Sequence, residues 1–104
     1  MDQVREKSQK NILGWVEDRI LESIANWELK ETEDYWHEET DSIIRVFYFN
    51  RGMTNIAVAI NPRLKIVATS KKNNTDILVN LFNLLNDLMW QSFYGGIAVN
   101  PPQP

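Results

Sequence analysis

The sequence predicts an α+β fold: an N-terminal helix, a three-stranded antiparallel β-meander and a C-terminal helix, with both helices packed on one face of the sheet. Three observations predict it. Hydrophobic spacing is helical up to about Leu29, alternates between Ile43 and Ser70, and turns helical again from Thr75 to Tyr94. Turn chemistry stands at the two places where a meander must reverse, Asn50-Arg51-Gly52 and Asn61-Pro62-Arg63. The pair Gly95-Gly96 stops the second helical run.

In the first run, Ile12, Leu13, Val16, Ile20, Ile24 and Trp27 fall within about 120° of arc when successive residues are placed at roughly 100°. This is an amphipathic helix from near Asp2 or Ser8 to about Leu29, with Glu17, Asp18, Arg19, Glu22 and Asn26 toward solvent. Trp15 and Leu21 lie off the stripe. From Lys30 to Ser42 neither helical period nor alternation holds, so the segment reads as a loop with at most a short edge strand around Tyr35–His37. Its two adjacent rings, Tyr35 and Trp36, stand between acidic flanks.

Ile43 to Asn50 is rich in β-branched and aromatic residues, and Thr54 to Ile60 alternates Ile56, Val58 and Ile60 against Asn55, Ala57 and Ala59. The two make a hairpin. Pro62 restricts Asn61 to extended geometry, and Leu64 to Ser70 completes the meander with Leu64, Ile66 and Ala68 on one face. Asn74 or Thr75 caps the closing helix, and Asp76 suits its dipole. On that helix Ile77, Leu78, Leu81, Phe82, Leu84, Leu85, Leu88 and Met89 cover about 160° of arc, and Val79 and Trp90 extend beyond it. A single sheet needs less than this, so a surplus of apolar surface is expected.

At 104 residues the chain has room for one core, a single domain over residues 1–100 followed by the Pro-rich tail 101–104. It has no cysteine, which removes disulfides, thiolate nucleophiles and zinc sites with sulfur ligands, and points to the cytoplasm. The segment Met1 to Lys10 is mostly polar, unlike a secretory leader. The net charge of −3 is unevenly spread: residues 1–42 sum to −7 and residues 43–104 to +4.

Little in the sequence supports catalysis. His37 is the only histidine, no serine sits in a nucleophile-elbow pattern, and no glycine-rich phosphate loop is present. The acidic run from Glu31 to Asp41 lacks the alternating carboxylates and central glycine of a calcium loop. The chain is expected to be a non-enzyme without a cofactor or a metal.

Two binding readings follow. The favoured one is a protein-binding adaptor or assembly-chaperone-like factor that recognises a partner segment as a homodimer. Tyrosine and tryptophan are enriched at interface hot spots, so its contacts would be Trp15, Tyr35, Trp36, Trp90 and Tyr94. The order helix, meander, helix is similar in layout to small secretion-chaperone-like and adaptor domains, a likeness that no motif carries. The alternative is a single-stranded nucleic-acid binder in which Arg45, Arg51, Lys65, Lys71 and Lys72 follow phosphates while Phe47 and Phe49 stack on bases. A pI near 5.1 is unlike most such binders.

Overall fold

A computed structural model describes residues 3–71 and 75–95. The element order is α1 (Gln3–Ser23), β1 (Glu28–His37), β2 (Ser42–Arg51), β3 (Thr54–Ile60), β4 (Ile66–Thr69) and α2 (Thr75–Trp90), the last continuing as a π-helical turn, Gln91–Gly95. The strands form one antiparallel sheet in the order β1-β2-β3-β4. Lys72, Asn74, Gly96 and the Pro-rich tail lie outside the described residues, as do the side chains of Thr75 and Tyr94.

The α+β class, the two helices and the antiparallel meander are as expected, but the sheet has four strands rather than three. The added strand is β1, formed by the acidic segment that reads as a loop. It pairs with β2 from His37↔Ser42 to Glu28↔Asn50, with a bulge between Leu29 and Glu31. Local pattern hides it because its polar residues are satisfied by the neighbouring strand. Asp34 faces the helix side of the sheet, where a carboxylate alone would be costly, and Arg45 of β2 donates to it at 2.7 and 3.0 Å.

The first helix is also shorter than its apolar stripe suggests. Its last helical hydrogen bond runs from Ile24 N–H to Ile20 O at 3.0 Å, and Asn26 then takes a left-handed φ of 70° that turns the chain. Trp27 is therefore not a helix residue, although it is buried all the same. In the third expected strand the bulge at β4 corrects the face assignment: Ile66 pairs with Ile60 on the core side while Ala68 pairs with Ala59 on the other. Leu64 precedes the strand in a turn with φ 66°, where Asn61 Oδ1 accepts from Arg63 N–H and Lys65 N–H. In the β2–β3 hairpin Gly52, at φ 61°, takes the first central position that a II′-type reversal reserves for glycine.

One core joins these elements. Leu13, Val16 and Ile20 of α1 and Ile77, Leu81, Leu84, Leu85 and Leu88 of α2 pack on a single sheet face made by Ile43, Phe47, Phe49, Ile56, Val58 and Ile60. Each such side chain contributes roughly 1.5–3 kcal/mol of burial. Among the described residues the opposite face carries no helix. It presents Ile44, Val46 and Tyr48 beside the small Ala57, Ala59 and Ala68, and is rimmed on β1 by Glu31 and Glu33. No helix among the described residues is long and apolar enough to cross a membrane.

Candidate functional site

The five aromatic contacts expected from sequence do not form one site. Trp15 packs half-buried against the core. Tyr35 and Trp36 are neighbours in β1, 50% and 42% exposed, and although they leave opposite faces of the strand both line a hollow of about 440 Å³ with Glu6, Lys10, Asp34 and Ile43. Trp90 is exposed near the end of α2. Of Tyr94 only the backbone is described.

The expected basic patch divides in a more informative way. Arg45 is nearly enclosed, with bonds to Asp34 and to Glu17 of α1, so it joins helix, edge strand and central strand. Those two carboxylates hold its guanidinium more firmly protonated than usual, Asp34 contributing most. Arg51 stacks on the Trp27 ring with Cζ 4.2 Å from its centroid and donates to Asp76 at 2.5 Å, while Trp27 Nε1–H reaches the same carboxylate oxygen at 3.3 Å. The Asp76 carboxyl lies below its ordinary range, chiefly through Arg51. Phe47 and Phe49 are core residues with their rings 6.5 Å apart, so neither can receive a base. Lys65 and Lys71 alone among the described members of the patch project freely into solvent.

Where sequence placed a single basic half, the structure leaves a smaller cationic border. Arg5, Lys10, Arg19, Lys30, Arg45 and Arg51 each face a carboxylate within 4.0 Å. Among the described residues the lysines and arginines without such a partner are Lys7, Arg63, Lys65 and Lys71, and the last three flank β4.

Beside them lies an apolar groove. Ile66 and Thr69 of β4 form one wall and Leu78, Val79 and Phe82 of α2 the other, enclosing about 340 Å³ open to solvent. It exists because α2 carries two rows. Ile77, Leu81, Leu84, Leu85 and Leu88 turn into the core, whereas Val79 and Phe82 turn away from it and remain 54% and 60% exposed. On the edge strand Val67 is 46% exposed. These large apolar side chains are grouped rather than scattered singly, which makes the groove the candidate surface. Its volume is at the low end of the roughly 300–1,000 Å³ of small-molecule sites, and an open trough would leave such a ligand largely wet.

Two other places are less open to a partner. A hollow of about 450 Å³ lies between the start of α1 and the turns at Thr40–Ser42 and Asn61–Arg63. Several of its polar groups engage each other, since Arg5 pairs with Asp41 and Gln9 donates to Asp41 O and accepts from Ile43 N–H, while Arg63 lines it without a carboxylate within 4.0 Å among the described residues. On the open sheet face Glu33 Oε1 accepts from both Tyr35 and Tyr48 hydroxyls at 2.7 Å. These bonds, that of Tyr48 foremost, lower the Glu33 carboxyl, and Glu33 in turn raises both phenols. His37 shares a hydrogen bond with Thr40 at 2.9 Å, and no group of three metal-binding side chains occurs among the described residues.

Comparison of the chain with family models, with curated proteins and with solved structures gives no match. The groove residues Ile66, Val79 and Phe82 are not among the expected contacts, which are all tryptophan or tyrosine. The signal that finds them is the excess apolar arc of the closing helix.

Proposed function

We propose that this chain is a non-enzymatic protein-binding domain of the cytoplasm, an adaptor or assembly-chaperone-like factor that holds a segment of another protein. The observation that carries the reading is the groove between β4 and α2, where Val79 and Phe82 stay more than half exposed beside Ile66 and Leu78. Burying what remains exposed of Phe82 and Val79 against a partner would contribute about half of the roughly 1.5–3 kcal/mol of full burial each, which suits them as anchors of a contact. Against nucleic acid stand the enclosed Phe47 and Phe49 and the engagement of Arg45 and Arg51 within the fold.

Pairing with a second copy belongs to the same proposal and has its own surface. A two-layer domain leaves one sheet face uncovered, and here that face centres on Ile44, Val46 and Tyr48 with an alanine floor. Light scattering over a concentration series should show a dimer, and a monomer mass at the highest concentration would remove this part.

The groove itself is tested by affinity capture from the native extract with quantitative mass spectrometry, comparing wild type with Phe82→Asp and Leu21→Asp. Both positions are about equally exposed, 60% and 62%, so each change leaves the fold intact. Proteins enriched by wild type should be lost with Phe82→Asp and kept with Leu21→Asp. An unchanged set with Phe82→Asp would refute the groove as the binding surface.

A further inference from the structure

We infer that the outer edge of β4 and the groove beside it receive an extended, acidic-flanked segment of a partner protein, which joins the sheet as a fifth strand. The inference rests on the protein-binding reading above and supplies the chemistry of the partner. Three independent features meet at this edge.

The first is the backbone. β4 ends the strand order, and among the described residues no strand pairs with its outer side. Ser70 N–H donates inward to Ala57 O at 2.9 Å. Inward- and outward-facing residues alternate along an antiparallel strand, so Thr69 turns its N–H and C=O outward, where another strand can bond to them. The second is shape. Side chains of an added strand alternate in direction, and those on the helix side would drop into the apolar trough between Ile66 and Phe82.

Charge is the third, and it selects the occupant. Lys65 and Lys71 lie at the two ends of β4, Arg63 lies before them in the turn that borders the hollow at the start of α1, and among the described residues no carboxylate comes within 4.0 Å of the three. A second copy placed edge to edge on β4 about a two-fold axis would set these cations against their own duplicates. A segment with acidic residues on both sides of an apolar centre is complementary instead, and the same field would speed its approach.

The test uses ¹⁵N-labelled full chain and a capped nine-residue peptide with a Val-Thr-Val-Thr-Val centre and two glutamates at each end. A second peptide carries lysines in place of the glutamates. The expected result is chemical-shift change concentrated at residues 66–71 and at Val79 and Phe82, with the glutamate peptide bound about tenfold tighter at low salt. That preference should shrink at 0.5 M salt, where screening acts over roughly 4 Å. Thr69→Pro, which removes an outward N–H and no ladder bond, should weaken binding at least about tenfold, and Phe82→Asp should abolish it. Equal binding of both peptides, shifts confined to the open sheet face, or wild-type affinity in Thr69→Pro would overturn the inference. So would growth of the particle mass with concentration that Thr69→Pro suppresses, since the edge would then be taken by the chain itself. If Phe82→Asp loses its captured proteins while the glutamate peptide fails to bind, the strand-addition inference falls and the protein-binding reading stands. If Phe82→Asp leaves capture unchanged as well, both fall.

Discussion

The two outer strands of the sheet differ in length, in charge and in what their side chains do. β1 runs ten residues, and all its charges but Glu31 are engaged: Asp34 with Arg45, Glu33 with two tyrosines, Glu28 with Lys30. β4 runs four residues, is apolar at Ile66 and Val67, and is flanked by Lys65 and Lys71, which have no carboxylate partner among the described residues. Unpaired strand edges invite other chains, and charged side chains along an edge discourage them. β1 is a long edge tied into the fold by its charges, while β4 is a short edge, bulged against β3 and flanked by Lys65 and Lys71, without such ties. The difference teaches that the charge asymmetry of the sequence is partly a difference between two edges of one sheet, and that its acidic side is structural.

Four measurements would break or sharpen that contrast. The largest effect is expected at the wall of the groove, where the neighbouring α2 residues Leu81 and Phe82 are buried and exposed respectively. Leu81→Ala should cost about 2–5 kcal/mol in urea unfolding, because Leu81 is fully buried, whereas Phe82→Ser should stay within about 0.5 kcal/mol. Similar losses at both sites would mean that the groove is part of the core.

Arg45→Met comes next and tests whether β1 is tied in by charge. It leaves Asp34 and Glu17 facing the helix side without a cation, at an expected cost of about 2–3 kcal/mol, below the figure for a fully buried pair because both carboxylates are about one-third exposed. A neutral result would show that β1 is held by its backbone ladder alone.

A smaller effect is expected from pH. Glu33 has a lowered folded pKa through its tyrosine bonds, and Asp76 through Arg51. Each therefore adds stability that is full above the unfolded carboxylate pKa of about 4 and is lost as pH falls through the lowered folded value. Glu33→Gln should flatten part of the acid limb of a stability–pH curve. In ultraviolet titration it should also bring two phenols down toward the usual value near 10, since Glu33 holds Tyr35 and Tyr48 above it. Tyrosine titration identical to wild type would refute the cluster.

The smallest stability change is predicted at the open edge itself. Val67→Thr keeps β-branching and removes an exposed apolar group, so its unfolding free energy should move by no more than about 0.5 kcal/mol. A loss near that of Leu81→Ala would show that β4 is not a spare edge.

How far the fold was legible follows from where each signal resides. The helices and the β2–β3 hairpin were readable because period and turn residues act within a few positions: Leu13, Val16 and Ile20 mark one face, and Gly52 marks the reversal. β1 was not readable, since what makes Asp34 acceptable on the helix side is Arg45, which lies eleven residues away on another strand. Trp27 fitted the helical stripe and is buried as that stripe implies, yet Asn26 ends the helix before it and Arg51 and Asp76 supply its polar partners. For the candidate site, the excess apolar arc of α2 was visible along the chain, but its second wall was not.

By itself, then, the sequence determined the α+β class, the two amphipathic helices, the central hairpin and the existence of surplus apolar surface on the closing helix. All of these are local patterns of hydrophobicity and backbone restriction, and they need no knowledge of neighbours. Only the tertiary structure decided which charges are spent and which are free. An ion pair is a short-range contact between residues far apart in sequence, so Arg45 and Arg51 became internal ties while Arg63, Lys65 and Lys71 remained at an edge. The same long-range docking set β4 beside Val79 and Phe82 and turned the surplus into a groove.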